Sequence, residues 1–271
     1  MRKKLFFLVA TLGIIAIAGA GIASATHSWG NYHWARTANP FTLQLGDSVS
    51  GVWDDHLATA SSDWSASSAL DTSITTGNSK GKNCRAADGK VEVCNAGYGN
   101  TGWLGIAQIW VSGDHIAKGL VKMNDTYFDN APYNSSEWRN VVMCQEIGHT
   151  LGLGHVDENF DNPDQNTCMD YSSNPTPNQH PNEHDYEILE AIYAHLDSTN
   201  TVAGPDDGSG DGGNGKGNGK GKPANAGANI DLSDPSAWGK AIREDANGNP
   251  SLFVRNLGNG QKVFTFVTWV E

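Results

Sequence analysis

The chain has 271 residues and a formal net charge of −12, with 18 basic side chains against 30 acidic ones. This length is enough for one or two domains with an ordinary buried core. An acidic surface repels the phosphates of nucleic acid and of anionic membranes, so we expect no nucleic-acid partner.

The N-terminal residues predict an export signal. Residues 2–4 are basic, residues 5–20 form an apolar run, and Ala23-Ser24-Ala25 offers small residues for cleavage. The alternative is a membrane anchor, but the apolar run is short for a membrane span. We therefore expect a signal peptide over residues 1–25 and a secreted product, extracellular or periplasmic, that leaves the membrane after cleavage.

The mature chain then shows a series of strand and helix patterns. We expect a strand within 33–45, a helix over 52–70, a hairpin over 76–100, strands over 105–111 and 116–123, and helices over 136–151 and 183–196. Ser136 is predicted to cap the second helix and Gly152 to end it. Strands followed by helices are typical of an α+β domain, which we place at residues 26–200.

The C-terminal quarter of the chain has a different composition. Residues 208–223 consist mainly of Gly, Asn and Lys, which predicts a flexible linker, set at 201–228. Two short apolar runs then flank the turn signal at 256–260, which is typical of a hairpin. We therefore expect a small β-rich module over 229–271, with its contact partner left open.

The four cysteines fit an exported protein. An even number in such a chain predicts two disulfides, for which three connectivities exist. Cys84 and Cys94 flank the predicted hairpin closely enough to be joined.

The run QEIGHTLGLGH, residues 145–155, carries the chemistry. Gln145 and His149 share one face of a helix, and Gly152 can end that helix so that His155 returns beside them. Catalytic zinc sites use three protein ligands and keep a position open for water. Glu146 is placed to accept a proton from such a water.

This run resembles the long zinc-binding motif of the metzincin clan, H-E-x-x-H-x-x-G-x-x-H. The sequence Cys168-Met169-Asp170-Tyr171 is similar to the Met-turn of that clan. The resemblance spans about residues 30–198 and is strongest to matrixin-like secreted peptidases. It implies a metzincin-like catalytic domain with a twisted, mostly parallel sheet, an active-site helix, a Met-turn and a C-terminal helix. The implied function is that of a secreted Zn²⁺-dependent endopeptidase acting on protein or peptide substrates.

The resemblance also implies roles for individual residues. Glu146 would be the general base, and Met169 would form the floor of the metal site. Tyr171 would stabilise the oxyanion as in astacin-like relatives, or else is a packed core residue. The edge strand for substrate would be formed by Ala107, Gln108, Ile109 and Trp110.

The same fold would bring Cys144 and Cys168 together in a disulfide. The alternative is that Cys144 is itself a metal ligand, although it faces away from Gln145 around the helix.

One position departs from the motif, because Gln145 stands where the clan has its first histidine. Its amide oxygen is a poorer zinc ligand than imidazole. Three interpretations stay open: Gln145 binds zinc weakly with His149 and His155, or His180 or His184 completes the site, or the site has lost its metal. In the last case the protein would be a peptide- or surface-binding protein on a peptidase scaffold.

Other polar groups carry weaker signals. The acidic loop over 157–164 offers oxygen ligands suited to Ca²⁺, or is simply solvated. We expect His27, His33, His56 and His115 to be structural or surface residues rather than ligands. Neither a propeptide-sized segment before the first strand nor a cysteine-switch motif is found, so the sequence predicts no mechanism of latency.

Overall fold

The computed structural model describes residues 27–204 and 234–270. The predicted signal peptide and residues 205–228 of the predicted linker lie outside these ranges. Among the described residues, no helix is long and apolar enough to cross a membrane.

The described chain folds into one mixed β-sheet with a few helices packed against it, which confirms the α+β class. The strands are β1 (His33–Trp34), β2 (Phe41–Ser48), β3 (Leu70–Thr76), β4 (Val91–Ala96), β5 (Trp103–Ser112), β6 (His115–Asn124), β7 (Lys240–Glu244), β8 (Pro250–Gly258) and β9 (Gln261–Trp269). The helices are α1 (Trp53–Trp64), α2 (Asp125–Phe128), α3 (Ser136–Thr150) and α4 (Glu183–Ile192).

The sheet has a parallel half and an antiparallel half. Its order is β3-β2-β4-β6-β5-β9-β8-β7, and β1 pairs with the start of β6. The pairs among β1, β2, β3, β4 and β6 are parallel. From β5 onward every neighbour is antiparallel. The expected mostly parallel sheet therefore describes only the half formed by β1, β2, β3, β4 and β6.

Two local predictions need correction. The residue that caps α3 is Ser135 rather than Ser136, because its extended backbone lets its hydroxyl accept a hydrogen bond from the Trp138 N–H, 3.2 Å away. The region 76–100 is not a hairpin. It contains the single strand β4, which lies between β2 and β6 because Val91 and Val93 are fully buried there.

Both predicted disulfides are present. Cys84 is joined to Cys94 across a Cα–Cα distance of 6.2 Å, which ties the loop before β4 to that strand. Cys144 is joined to Cys168 across 5.9 Å, which ties α3 to the loop that carries Met169. Cys144 is therefore not a metal ligand.

The C-terminal strands extend the main sheet instead of forming a separate module. The predicted hairpin is present as β8 and β9, with β7 as an unpredicted third strand. Strand β9 pairs with β5 over the whole length of β5. Two phenylalanines of β9, Phe264 and Phe266, are buried beside Trp29. Residues 107–110 consequently lie inside the sheet in this structure and not at its edge.

Candidate active site

The last two turns of α3 hold the motif in a buried position. Gln145 is 1% exposed, and Glu146 and His149 are fully buried. Three tryptophan indoles from other elements donate hydrogen bonds to backbone carbonyls near the end of the helix. The pairs are Trp64 to Cys144 at 3.1 Å, Trp29 to His149 at 3.1 Å and Trp34 to Thr150 at 2.9 Å. The Thr150 carbonyl is one that the helix end leaves without an intrahelical partner, and the three bonds together fix the helix against the core.

The chain turns back after α3 at Gly152, as predicted. This glycine has φ of 105°, and a Cβ there would lie 2.8 Å from the Tyr32 carbonyl oxygen. The returning strand is held by the N-terminal segment, since the Gly154 N–H donates to the His27 carbonyl at 2.5 Å. The result places the His155 ring at 4.5 Å from the His149 ring, centroid to centroid.

The two histidines are held in one tautomer. Nδ1 of His149 lies 2.9 Å from the Leu153 carbonyl oxygen, and Nδ1 of His155 lies 2.7 Å from a carboxylate oxygen of Glu158. Both acceptors require an N–H at Nδ1, so each Nε2 carries a lone pair. Both Nε2 atoms are buried and have no hydrogen-bond partner among the described residues.

The surroundings keep both rings neutral. Burial, followed by the neighbouring His155, holds the pKa of His149 well below its ordinary value. Burial also lowers the pKa of His155, although Glu158 opposes that shift. Two neutral imidazoles with oriented Nδ1 atoms and free Nε2 atoms fit a zinc ion, which requires deprotonated nitrogen and a second partner for each ring.

His180 and His184, the alternative candidates for a third ligand, do not lie with His149 and His155. Within the ranges that the structure describes, neither His180 nor His184 gathers with His149 and His155 into a group of three metal-binding side chains. Instead His180 is paired with Asp63 at 2.7 Å, and the His184 ring lies 5.2 Å from that of His27. Gln145, one helical turn before His149, is therefore the remaining candidate.

Glu146 is a buried carboxyl group beside this pair. Burial raises its pKa to about 8, although a hydrogen bond with Thr268 opposes the shift. The Thr268 hydroxyl oxygen lies 2.7 Å from Oε1 of Glu146 and 2.8 Å from Oε1 of Gln145. One hydroxyl proton serves one acceptor at a time. Thr268 therefore donates to Gln145 or to Glu146, and either bond ties β9 to α3.

Residues of β9 lie against the motif. The Phe266 ring stacks on that of His149 with 4.1 Å between centroids and 13° between planes. The Val267 carbonyl accepts a hydrogen bond from the Tyr171 hydroxyl at 2.8 Å. With Thr268, three consecutive residues contact the candidate site. Sequence reasoning missed them, because the alternating pattern over 263–267 predicts a strand without predicting its partner.

The residues of the predicted Met-turn lie against α3. Met169 is fully buried, and a Cβ on Gly148 would lie 2.5 Å from its sulfur, so only glycine fits there. The Tyr171 ring lies 4.1 Å from that of His155, and burial raises the pKa of its phenol well above the ordinary value. Tyr171 is thus a neutral hydrogen-bond donor at the site.

Glu158 has a role that the sequence did not reveal. It accepts hydrogen bonds from His155 and from the Ser251 hydroxyl, the latter at 2.8 Å. Burial alone would raise its pKa, but these bonds hold that pKa below the ordinary value. The other carboxylates of its loop give no support for calcium: Asp157 and Asp164 accept hydrogen bonds from nearby residues and join no metal-binding group among the described residues.

Comparison with known proteins found matches among solved structures. No protein-family model matches the sequence, and no curated protein is similar to it. The structure is similar to high choriolytic enzyme 1, a hatching enzyme zinc-protease from Oryzias latipes (medaka fish), with 12% identity and a TM-score of 0.34 over 60% of this chain and 94% of that chain. It is also similar to archaemetzincin from Methanopyrus kandleri, with 15% identity and a TM-score of 0.32 over 62% of this chain and 98% of that chain. Both TM-scores lie below 0.5, so the function is argued from the geometry of the site.

Proposed function

We propose that the chain is a secreted zinc-dependent endopeptidase, with His149, His155 and Gln145 as zinc ligands and Glu146 as general base. The observation that carries this proposal is the pair of buried, neutral imidazoles whose Nδ1 atoms are hydrogen-bonded and whose Nε2 atoms are free. A buried carboxyl group follows directly after the third candidate ligand. Buried polar atoms without partners are costly unless a ligand satisfies them.

The protein residues divide the chemistry among them. Bound zinc would supply Lewis acidity, which acidifies a water molecule and polarises the carbonyl of the scissile peptide bond. Glu146 would take the proton from that water and deliver it to the departing amine. Tyr171 would donate to the carbonyl oxygen as negative charge develops there. Its hydroxyl already donates to a peptide carbonyl, that of Val267.

We further propose that the full chain is latent because β9 lies where substrate would lie. A peptide substrate of such an enzyme adds as a strand beside β5, and β9 pairs with that strand from Trp103 to Ser112. Its residues also cover the motif, through Phe266 on His149 and Thr268 on Glu146. A substrate therefore has to displace β9, and this requirement would keep the full chain latent.

The rival function is a peptide- or surface-binding protein that does not cut. Gln145 favours it, because an amide oxygen holds zinc less well than imidazole. Glu146 favours the enzyme, because a binding protein has no use for a buried carboxyl group without a partner at Oε2.

A controlled release of β9 tests the proposal. A recognition site for a specific protease is inserted between residues 208 and 223, and the folded full chain is cut there before a peptide-library digest with and without chelator. We expect the cut protein to hydrolyse peptides only without chelator. Glu146→Gln should lower turnover by ~10²–10⁴-fold and keep the zinc, whereas Glu187→Gln, an exposed carboxylate on α4, should change neither.

The other outcomes select between the alternatives. A cut protein that holds zinc and retains peptides without hydrolysing them would support the binding protein. Absence of zinc from protein purified with the metal present would reject the zinc site itself.

A further inference from the structure

We propose that His33, His115, His195 and Asp197 bind a second divalent metal ion of the zinc type. None of these residues belongs to the motif on α3. They come from β1, from the first residue of β6 and from the segment after α4. From the sequence we expected structural or surface roles for His33 and His115, and this proposal gives both residues a different role.

The ligand atoms have the spacing of a tetrahedral site. Oδ1 of Asp197 lies 3.3 Å from Nε2 of His33, 3.3 Å from Nε2 of His115 and 3.7 Å from Nε2 of His195. Nε2 of His33 and Nε2 of His195 are 3.1 Å apart. A tetrahedral zinc ion with bonds of about 2.0–2.1 Å separates its ligand atoms by about 3.3–3.4 Å. Four of the six distances between ligand atoms thus lie within about 0.4 Å of that value, and the ligand atoms of His33, His115 and Asp197 all lie within 4.8 Å of one another.

The tautomer of His33 indicates that a cation belongs between these groups. Its Nδ1 lies 2.7 Å from the Asn31 carbonyl oxygen and must donate a proton to it. With Nδ1 directed at Asn31, Nε2 of His33 faces the carboxylate of Asp197 at 3.3 Å, and a cation between the two atoms would bind both. A backbone carbonyl at Nδ1 is also the partner that orients histidines bound to metal.

The carboxylate of Asp197 is held in place from its other side. Its Oδ2 accepts hydrogen bonds from the backbone N–H of Arg36 at 3.2 Å and from Nη1 of the same residue at 3.0 Å. Oδ1 is therefore left to face the three histidines. A single proton would satisfy one donor–acceptor pair, whereas a metal ion satisfies all four converging atoms.

The donor set and its position define the kind of site. Three nitrogens and one oxygen suit zinc and close its tetrahedral coordination, which is typical of a structural site. An adjoining cavity of about 470 Å³, lined in part by His33 and His195, gives the ion a path of entry. The ion would link β1, β6 and the end of α4, and it would stabilise the folded chain because the unfolded chain lacks the site.

Metal analysis of full-length variants tests this proposal separately from the peptidase function. We expect His115→Ala/His195→Ala to lose one zinc ion per chain relative to wild type and to melt at a lower temperature in zinc. Both side chains are partly exposed, so the fold tolerates their loss. His180→Ala, which removes an exposed histidine paired with Asp63, is the matched control and should keep the full zinc content.

A second measurement does not depend on the folding of that variant. In His149→Ala/His155→Ala, which lacks the ligands on α3, titration with Co²⁺ should still give the intense visible absorption of a tetrahedral site. Unchanged zinc content in His115→Ala/His195→Ala would overturn the proposal, and so would absence of that cobalt spectrum. If α3 holds no metal, wild type and the α3 variant will both contain the one ion of this cluster.

Discussion

Gln145 is the residue at which the sequence departs from the zinc-binding motif that it resembles, and its neighbours indicate what a histidine there would do. Its side chain is buried, one turn before His149, and accepts a hydrogen bond from Thr268. Because imidazole is a better zinc ligand than an amide oxygen, we expect Gln145→His to slow the loss of zinc to a chelator. The measurement is zinc release from wild type and variant over time.

The control for this change is Gln165→His, which adds a histidine to an exposed loop position. It should release zinc at the wild-type rate. If Gln145→His also releases zinc at that rate, Gln145 does not contact the metal and the proposed ligand set is wrong.

Asp170, beside the predicted Met-turn residue, gives a pH-dependent prediction. Burial raises its pKa to about 6 from an ordinary value of 3.8, with Asp157 and Asp164 adding to the shift. As pH rises above about 4, the unfolded chain ionises this group first, so its contribution to stability is full below about 4 and is lost by about 6. Asp170→Asn removes the ionisable group, and with it this loss of stability as pH rises.

We therefore expect Asp170→Asn to melt above wild type at pH 7, and the gap to close at pH 3.5. A gain of about 1 kcal/mol corresponds to roughly 2–4 °C in a domain of this size. The measurement is thermal unfolding of both proteins across that range. A difference in melting temperature that does not vary with pH would contradict a raised pKa for Asp170.

At the scale of residues, the sequence could predict only those site residues that lie close together along the chain. Glu146 and His149 were found because helical spacing places them together locally. His33 and Asp197 lie 164 positions apart, and only the completed fold brings them within 3.3 Å. Thr268 was missed for the same reason.

At the scale of elements, β9 is held against the motif on α3 by the contacts of individual side chains. The strand carries two threonines with different partners: Thr268 bonds Gln145 and Glu146, whereas Thr265 accepts from the amide of Gln108 at 3.3 Å. Thr268→Val should weaken closure by about 1–3 kcal/mol, because it leaves buried polar groups at the site without a partner. This corresponds to roughly a 5–150-fold rise in the basal activity of the uncut chain.

Thr265→Val is the matched control, on the same strand and with the same change in shape. It removes one neutral hydrogen bond away from the motif, so we expect a smaller rise in peptide hydrolysis by the uncut chain. Equal effects of the two variants would mean that the contacts of Thr268 with the site do not hold β9 closed.

The elements themselves were predicted unevenly. Strands β5 and β6 and helix α3 carry periodic apolar patterns of ordinary length, and their predicted positions agree closely with the structure. Strand β4 was taken for part of a hairpin, because the glycines and lysines around it resemble a turn region. Its place inside the parallel half of the sheet depends on β2 and β6, which local sequence does not specify.

At the scale of the whole molecule, the α+β class followed from the order of strands and helices, but the sheet's extent did not. The pairing of β5 with β9 joins residues about 150 positions apart, and an alternating pattern carries no information on which strand will be its neighbour. Because a Gly-rich tract separates β5 from β9 in the sequence, the sequence predicts a separate C-terminal module.

The two disulfides offer a test of how the site is built into the molecule as a whole. Cys144 and Cys168 are 24 positions apart and Cys84 and Cys94 are 10 apart. By chain entropy alone, removing the bridges costs about 3.5 and about 2.7 kcal/mol, which in a domain of this size corresponds to losses of roughly 7–14 °C and 5–11 °C in melting temperature. Both pairs are changed to alanine, because the sulfurs are buried and a serine hydroxyl would lack partners.

The two pairs should differ more in metal binding than in stability. Cys144 directly precedes Gln145 and Cys168 directly precedes Met169, so their bridge fixes α3 against the loop beneath the motif. We expect Cys144→Ala/Cys168→Ala to lose zinc to a chelator faster than wild type at a temperature where both remain folded. Cys84→Ala/Cys94→Ala, whose bridge lies on β4, should lose zinc at the wild-type rate. Equal rates in all three proteins would mean that packing of Met169 against Gly148 positions the site without the bridge.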